Sequence, residues 1–521
     1  MNSFAWKNLV LAVTLLFFLF GFRMPAFASP EESPPLRERI ENLEKVIQGQ
    51  QKLLESLKLE LEGQKEAGDK ARQEQERLKA LEKKVEEVEK VTTKREEELK
   101  KEKKTGLIAY WRDGFFLETP DKQFRLQFGG VLHFDTRFFG GGSKSPDSFD
   151  IRRARYDMRG NLYRGDLEHL FRLQIEMADE PYLRNAYWMF KVRPEFNLQI
   201  GQFKVPSGGA DWLTEEAHVN FVEYATATPV SPFFDRGINI HSYFLGGRIQ
   251  TCLAAVTGVG VEKDVGSGDY DNHKDFAGRI LLVPFKTANI PWLKGMHFAG
   301  SYQTGIQSIK TTRGETNNKT ENYESRWFRW TKNYVDLDQR KRYGGEFHWL
   351  YGPLTMSYEF NRVQWEDITV YKDEKGTPDF RLPGDYHVDV HQFWVSYFLT
   401  GEQKEFEDVF FAWRQPKPKK NFSLKNGTWG AWEIIARYSF KDASRELFDS
   451  GLLEGSSEGY SVTGGIRWIW NPKCRIMFDV NYLHSNEGKG IITEYADRGV
   501  FTNRKYENSE LGYLLRFIVT P

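Results

Sequence analysis

The sequence predicts an all-β transmembrane barrel of about 16 antiparallel strands, preceded by an N-terminal α-helical coiled coil. The first supporting observation is alternation. From Phe124 to Phe517, runs of about ten residues alternate apolar or aromatic with polar or charged, as in Phe124-Arg125-Leu126-Gln127-Phe128 and Phe171-Arg172-Leu173-Gln174-Ile175-Glu176-Met177. The second is composition: aromatics reach 15%, hydrophobic residues only 40%, and mean hydropathy is −0.59, which excludes a bundle of apolar membrane helices. The polar face carries many charges and the other face is unusually aromatic, as a lipid-facing band around a wet interior requires. The third observation is a regular succession of short and long connections between the runs.

Residues 1–28 read as a signal peptide. Lys7 precedes an apolar run from Leu9 to Phe22, and Ala26-Phe27-Ala28 supplies a small-x-small cleavage site. Residues 29–105 form the expected periplasmic coiled coil, rich in Glu, Lys, Gln and Leu. Leu36, Ile40, Leu43, Ile47, Leu54, Leu57 and Leu61 follow heptad spacing, while Leu78, Leu81, Val85 and Val88 follow it in another phase, with the shift near Gly63 and Gly68. A coiled coil requires partner chains; a solitary charge-stabilised helix is the plainer reading of the same residues. Residues 31–104 hold 19 Lys+Arg against 20 Asp+Glu, so the remainder is also nearly neutral and any ion preference must come from local placement. Two cysteines, Cys252 and Cys474, are too few for a disulfide framework.

Residues 106–521 form the barrel domain. Sixteen candidate strands lie near 122–138, 150–163, 167–178, 184–194, 196–204, 236–244, 247–258, 274–284, 295–304, 341–351, 352–363, 385–400, 428–441, 457–471, 473–484 and 506–519. An even number returns both ends of the barrel to the periplasm. The connections at Arg164-Gly165-Asp166, Pro194-Glu195, Gly246-Gly247, Tyr351-Gly352-Pro353 and Asn471-Pro472-Lys473 are short and share the periplasmic side, while 205–235 and 305–340 are long and lie outside. Connection 401–427 is long with periplasmic parity, so either the strand count fails there or a periplasmic loop folds into the lumen.

Several stretches together resemble the phosphate-selective porin O/P family of outer-membrane porins. They are Phe149-Asp150-Ile151-Arg152-Arg153-Ala154-Arg155 running toward Gly160, Ile200-Gly201-Gln202-Phe203-Lys204-Val205-Pro206, and Ser396-Tyr397-Phe398-Leu399-Thr400-Gly401-Glu402 with Gly430-Ala431-Trp432-Glu433 and Arg437-Tyr438-Ser439. The resemblance spans roughly 106–521 and implies a sixteen-stranded barrel in a homotrimer, with inward loops narrowing each pore, a periplasmic one among them. Two features depart from that pattern: the chain ends Ile518-Val519-Thr520-Pro521 rather than on an aromatic residue, and it carries the long helical segment.

Period-two alternation turns Tyr156, Met158 and Leu162 toward lipid and Arg153, Arg155, Asp157, Arg159 and Asn161 toward the lumen. Arg125, Arg137 and Arg172 fall on the same interior wall. Guanidinium forks on adjacent strands suit phosphate-like oxygens and would make a positive track for anions. Asp135, Asp157 and Glu176 stand among them, so a weakly selective, mixed-charge pore is the competing reading. Loop 205–235 is the expected constriction, with Lys204, Asp211, Glu215, Glu216 and His218 as its candidate residues; the three carboxylates among these weigh against strong anion selectivity.

Other motifs are weak. Gly455-Ser456-Ser457-Glu458-Gly459 has the nucleophile-elbow spelling without a strand-turn-helix setting. The ten histidines show no zinc-ligand spacing, Lys417-Pro418-Lys419-Lys420 reads as a solvated turn, or as a positive lip on the pore if its connection enters the lumen, and no P-loop is present. No cofactor, metal or nucleic-acid partner is expected. The expected function is a passive outer-membrane channel for small hydrophilic solutes and ions, with anion or phosphate selectivity as its finer form. Expected partners are outer-membrane lipid, small anions or other small solutes, and, through the coiled coil, peptidoglycan or a periplasmic protein. A second reading makes the barrel a structural anchor that tethers the envelope through that coil. An enzyme is the least expected class, because no convincing nucleophile–base set is present.

Overall fold

The computed structural model describes residues 36–63, 68–112, 114–141, 143–164, 167–178, 181–225, 234–258, 260, 272–307, 319–373, 375–406, 412–497 and 500–520. The expected signal peptide, 1–28, lies outside the described residues. The chain divides between Lys104 and Thr105 into two units.

The first unit holds helices α1, Leu36–Gly63, and α2, Gly68–Thr105, built largely of strong helix formers. Gln51 Nε2 donates to Glu89 Oε1 at 3.4 Å, across 38 residues of sequence. A continuous helix would separate them by about 1.5 Å per residue, so α2 runs back along α1. Leu54 of α1 and Val85 of α2 line the groove between them. The change of heptad phase therefore marks a chain reversal. Within the described residues α1 and α2 share this groove, while Leu43, Val46, Leu53 and Val88 stay exposed.

The second unit is a closed antiparallel barrel of 16 strands. They are β1 Arg125–Gly140, β2 Ser148–Arg164, β3 Glu168–Glu176, β4 Tyr182–Arg193, β5 Phe196–Lys204, β6 Phe234–Phe244, β7 Ile249–Val256 and β8 Asp275–Leu282. The second half comprises β9 Met296–Gln307, β10 Tyr334–Tyr351, β11 Leu354–Tyr371, β12 Pro378–Phe398, β13 Ala431–Ala443, β14 Leu453–Asn471, β15 Cys474–Gly488 and β16 Ser509–Val519. Each strand pairs with its sequence neighbours, and β16 returns to β1, with Val519 opposite Leu132 and Leu511 opposite Gly140. A short hairpin, Ile108–Trp111 with Phe115–Glu118, adds to the first residues of β1.

The side chains sort as a membrane barrel demands. Phe134, Phe149 and Phe517 form a cross-strand aromatic cluster on the outer face of β1, β2 and β16, with centroids 6.3–6.4 Å apart along the chain of contacts. The intervening Asp135, Arg153, Arg155 and Arg516 are buried inside. At one end the connections are tight. In the β6–β7 turn Leu245, Gly246 and Gly247 all have positive φ (52°, 67° and 79°), which explains the paired glycines.

Two departures from simple alternation matter. Opposite β1, the register jumps from His133↔Arg153 to Phe134↔Ile151, so Arg152 is an extra, bulged residue. The bulge turns two consecutive arginines inward. In addition, β10, β11 and β12 run to 18, 18 and 21 residues, well past the roughly 9–11 needed to cross a bilayer. Residues 364–384 are therefore mostly strand rather than the expected connection. Their inner face is apolar: Trp365, Ile368, Val370, Val388 and Val390 join Trp327, Phe328 and Leu447 in a buried core at the long-loop end. With Gln364, Glu366, Thr369 and Arg381 on the other face, the polar–apolar contrast of the membrane strands is inverted here.

Candidate functional site in the barrel lumen

The segment after β5 turns into the barrel at Lys204, whose Nζ donates to the carbonyls of Trp212 and Thr214 at 2.9 Å each. A single helical turn, Ala210–Leu213, follows Gly209, whose missing side chain leaves room for the Glu359 carboxylate. Ala210 N and Asp211 N donate to Glu346 and Glu359 on β10 and β11, and the Asp211 carboxylate accepts from Asn220 and from Gln392 on β12.

Further along, the loop is ion-paired to the β2–β4 wall. Glu215 meets Arg172 at 2.5 Å, and Glu216 bridges Arg155 (2.5 Å) and Arg184 (2.6 Å). The opposite wall grips the loop's backbone. Arg475, Arg467 and Arg437 donate to the carbonyls of Ala217, Asn220 and Glu223 at 2.7, 2.7 and 3.1 Å, and Arg516 donates to that of Val222. The Glu223 carboxylate bridges Arg152 and Arg516 at 2.9 and 2.8 Å. Residues 205–225 thus cross the lumen from wall to wall.

Burial alone would raise the loop carboxyls, but the guanidiniums prevail. Arg172 holds Glu215 down at about 2. Arg155, Lys204 and Arg184 hold Glu216 well below the usual carboxylate range, and Arg152 and Arg516 do the same for Glu223. Asp211, lacking a facing cation at contact distance, is pushed up by burial. Each loop carboxylate facing an arginine is therefore a fixed clamp rather than free negative charge.

Two other segments enter the interior. The β12–β13 connection, the one with anomalous parity, folds inward. Lys404 pairs with Glu433 at 2.7 Å and donates to Asn220 Oδ1 at 2.9 Å, Trp413 N donates to Thr214 Oγ1, and Phe406 stacks on Trp413 at 4.2 Å. From the long-loop end, Glu324 reaches Arg137 at 3.2 Å, the Tyr323 ring lies 3.8 Å from the Arg152 guanidinium carbon, and Asn322 donates to Glu510.

These contacts divide the arginines predicted from alternation. Arg137 pairs with Asp135, Asp150 and Glu324; Arg155 pairs with Glu176 and Glu216; Arg172 pairs with Asp157 and Glu215. Arg159 is half-exposed and shares Asp157 with Arg172. Arg125 lies against the Phe116 ring, and neither it nor Arg153 makes an ion pair among the described residues. Sequence reasoning missed Arg437, Arg467, Arg475 and Arg516, because backbone carbonyl acceptors leave no trace in residue identity. Their inward alternation was the available signal.

Glu346, His348 and Glu359 are close enough together to hold a cation. Arg279 already occupies Glu346 with a two-pronged contact (2.9 and 2.7 Å), which makes the group an ion-paired anchor for the loop. Cys252 and Cys474 are free thiols. Ser456 lies in β14, its hydroxyl donating to Glu458 O.

Among the described residues, cavities remain beside the crossing segments toward the short-turn end. One, of about 210 Å³, is lined by Arg125, Arg155, Arg159, Arg172 and Lys191 with Asp157 and Glu215. Another, of about 870 Å³, is lined by Lys286, Lys294, Lys404 and Arg414 with Glu405. Cations outnumber carboxylates on both walls.

Residues 124–490 match the family description of phosphate-selective porin O and P. No curated relative matches the chain. Among solved structures, OmpT of Vibrio cholerae matches with TM-score 0.45 at 10% identity, covering 76% of this chain and 98% of that one. OmpF of Salmonella typhi matches with TM-score 0.45 at 9% identity, covering 80% and 100%. An anion-selective porin from Comamonas acidovorans matches with TM-score 0.45 at 11% identity, covering 77% and 100%.

Proposed function

This chain belongs to the phosphate-selective porin O and P family, and we propose that its lumen is a narrowed water path with a modest preference for anions. It is an outer-membrane porin, a passive channel for small hydrophilic solutes and ions. One observation carries the proposed selectivity. After the wall arginines are paired off, cationic donors remain at the smaller cavity: Arg125 without a carboxylate, and Arg159 with half of one. Arg137, Arg155 and Arg172 are committed to carboxylates and serve to position the constriction, so the continuous positive track is reduced to a few sites. The proposed assembly is a homotrimer, as the family resemblance implies, with α1 and α2 on the periplasmic side, where a coiled coil with other copies or with a periplasmic partner is the finer reading.

The test is the reversal potential of the purified protein in a planar bilayer under a KCl gradient. A chloride preference that weakens in Arg125→Gln/Arg159→Gln supports the reading, and millimolar phosphate reducing the chloride current would extend it to phosphate-like anions. A cation preference in the unaltered protein would overturn it while leaving a general porin. Absence of conductance would return the tether to consideration.

A further inference from the structure

The β12–β13 connection does not end inside the lumen. After Trp413 it leaves the barrel and folds over the rim onto the outer face. Ser423 and Thr428 bridge across a tight turn, Phe422 N donates to Trp470 O at 2.7 Å, and Trp468 Nε1 donates to Trp429 O at 2.8 Å. The Phe422 ring packs 5.3 Å from Trp468 and 5.4 Å from Trp470, and Trp468 stacks on Trp432 at 5.1 Å. Trp432 and Trp468 are register partners whose neighbours Glu433 and Arg467 point inward, so this aromatic group lies on the lipid side. At its tip Leu424 is 77% exposed and Trp429 59% exposed. Lys417, Lys419, Lys420 and Lys425 flank it, all exposed. Among the described residues the Lys420 and Lys425 ammonium groups have no carboxylate partner.

We propose that the 417–430 arm is a binding site for the headgroup phosphate of anionic phospholipid in the periplasmic leaflet. Indole rings concentrate where hydrocarbon meets water, and lysines just beyond that boundary attract anionic headgroups. Inorganic phosphate offers the same oxygens to the lysines. It gives no reason, however, for an exposed Leu424 and Trp429 beside them, whereas an acyl chain covers both. The inference rests on the reading of the chain as an outer-membrane barrel with its short turns toward the periplasm. It adds a link between lipid and pore: the connection that carries the arm also carries Lys404, Phe406 and Trp413 into the lumen. A lipid held at the arm secures the stem of a segment that narrows the channel.

The test uses the full chain in nanodiscs of phosphatidylcholine with a minor share of phosphatidylglycerol, counting the lipids that stay bound by native mass spectrometry. The unaltered protein is expected to retain phosphatidylglycerol preferentially. Lys420→Gln/Lys425→Gln is expected to lower that preference by roughly thirtyfold, since two surface lysines are lost. An unchanged ratio overturns the proposal. So does displacement of the lipid by millimolar inorganic phosphate, which would assign the lysines to a water-borne anion. The double variant is chosen because its lysines hold no carboxylate in the fold. Leu424→Ser is an independent second variant, expected to weaken retention of both lipids, with unchanged retention counting against the site. Conductance, measured in parallel, tests the porin reading separately: lipid preference without conductance would sink that reading and leave this one.

Discussion

Arginine number in this lumen is a poor guide to the charge a solute meets, because most guanidiniums are spent on the protein itself. A single unpaired cation at about 4 Å from a passing anion is worth about 1 kcal/mol in a water-like dielectric, or roughly fivefold in local concentration. Arg125→Gln is therefore expected to lower the chloride-to-potassium permeability ratio by a factor of about two to five, read from the reversal potential. Arg155→Gln is expected to act differently. It leaves Glu176 and Glu216 short of a partner in a buried setting, at a cost of about 3–5 kcal/mol, and should lower the thermal unfolding temperature in detergent. A variant with normal stability and lost selectivity would reverse these assignments. The clamp carboxylates also set a pH window. Glu215 is held near 2 when folded, against about 4.3 when free. Its stabilisation is thus fully present above the free value and lost as pH falls through the folded one. Asp211, raised by burial, has the opposite sign, and the Glu359 carboxyl meets the loop beside it, so Asp211→Asn/Glu359→Gln is the suitable background. In it, single-channel conductance should hold from about pH 7 to about pH 4 and change only in stronger acid; a step near pH 5 would count against the clamp.

Among the elements, the bulge in β2 separates what alternation reveals from what it hides. All sixteen strands were legible, because charged and aromatic residues trade places every second position. Arg153, Arg155 and Asp157 were correctly turned inward by that rule. Arg152 was not, since a bulge is an insertion in register and register is a property of two strands. The same limit hid the far halves of β10–β12, where the apolar face is the inner one, and the reversal between α1 and α2, where either half alone reads as a heptad. Removing the bulged residue should be tolerated: without Arg152, the ladder from His133↔Arg153 to Phe134↔Ile151 closes with correct faces. The Arg152 deletion is expected to give a heat-modifiable folded barrel on unheated gels, whereas deletion of Ala436 in β13, whose pairings carry no bulge to absorb it, should not, because it turns every residue on one side of it to the wrong face. Equal tolerance of both deletions would show that the barrel ignores this register.

For the whole molecule, three separate stretches of chain meet inside one closed sheet, while α1 and α2 form a unit of their own. Deleting residues 31–104 is expected to leave single-channel conductance and ion preference unchanged, measured side by side with the full chain; a collapsed conductance would mean that the helices take part in the pore. The closing seam has a consequence for biosynthesis. Arg516 on β16 binds Asp135 on β1 across 381 residues of sequence, with Nε–Oδ1 at 2.7 Å, and the same guanidinium holds Glu223 of the crossing loop. The first strand to be made waits for the last with its hydrogen-bonding edge open, and contacts of such high contact order form slowly. Until β16 arrives, the loop lacks one of its anchors too. Closing the wall and seating the constriction therefore belong to one late step, and a chain that stalls before Ser509 would leave an adhesive edge for the cell's assembly and degradation machinery to find.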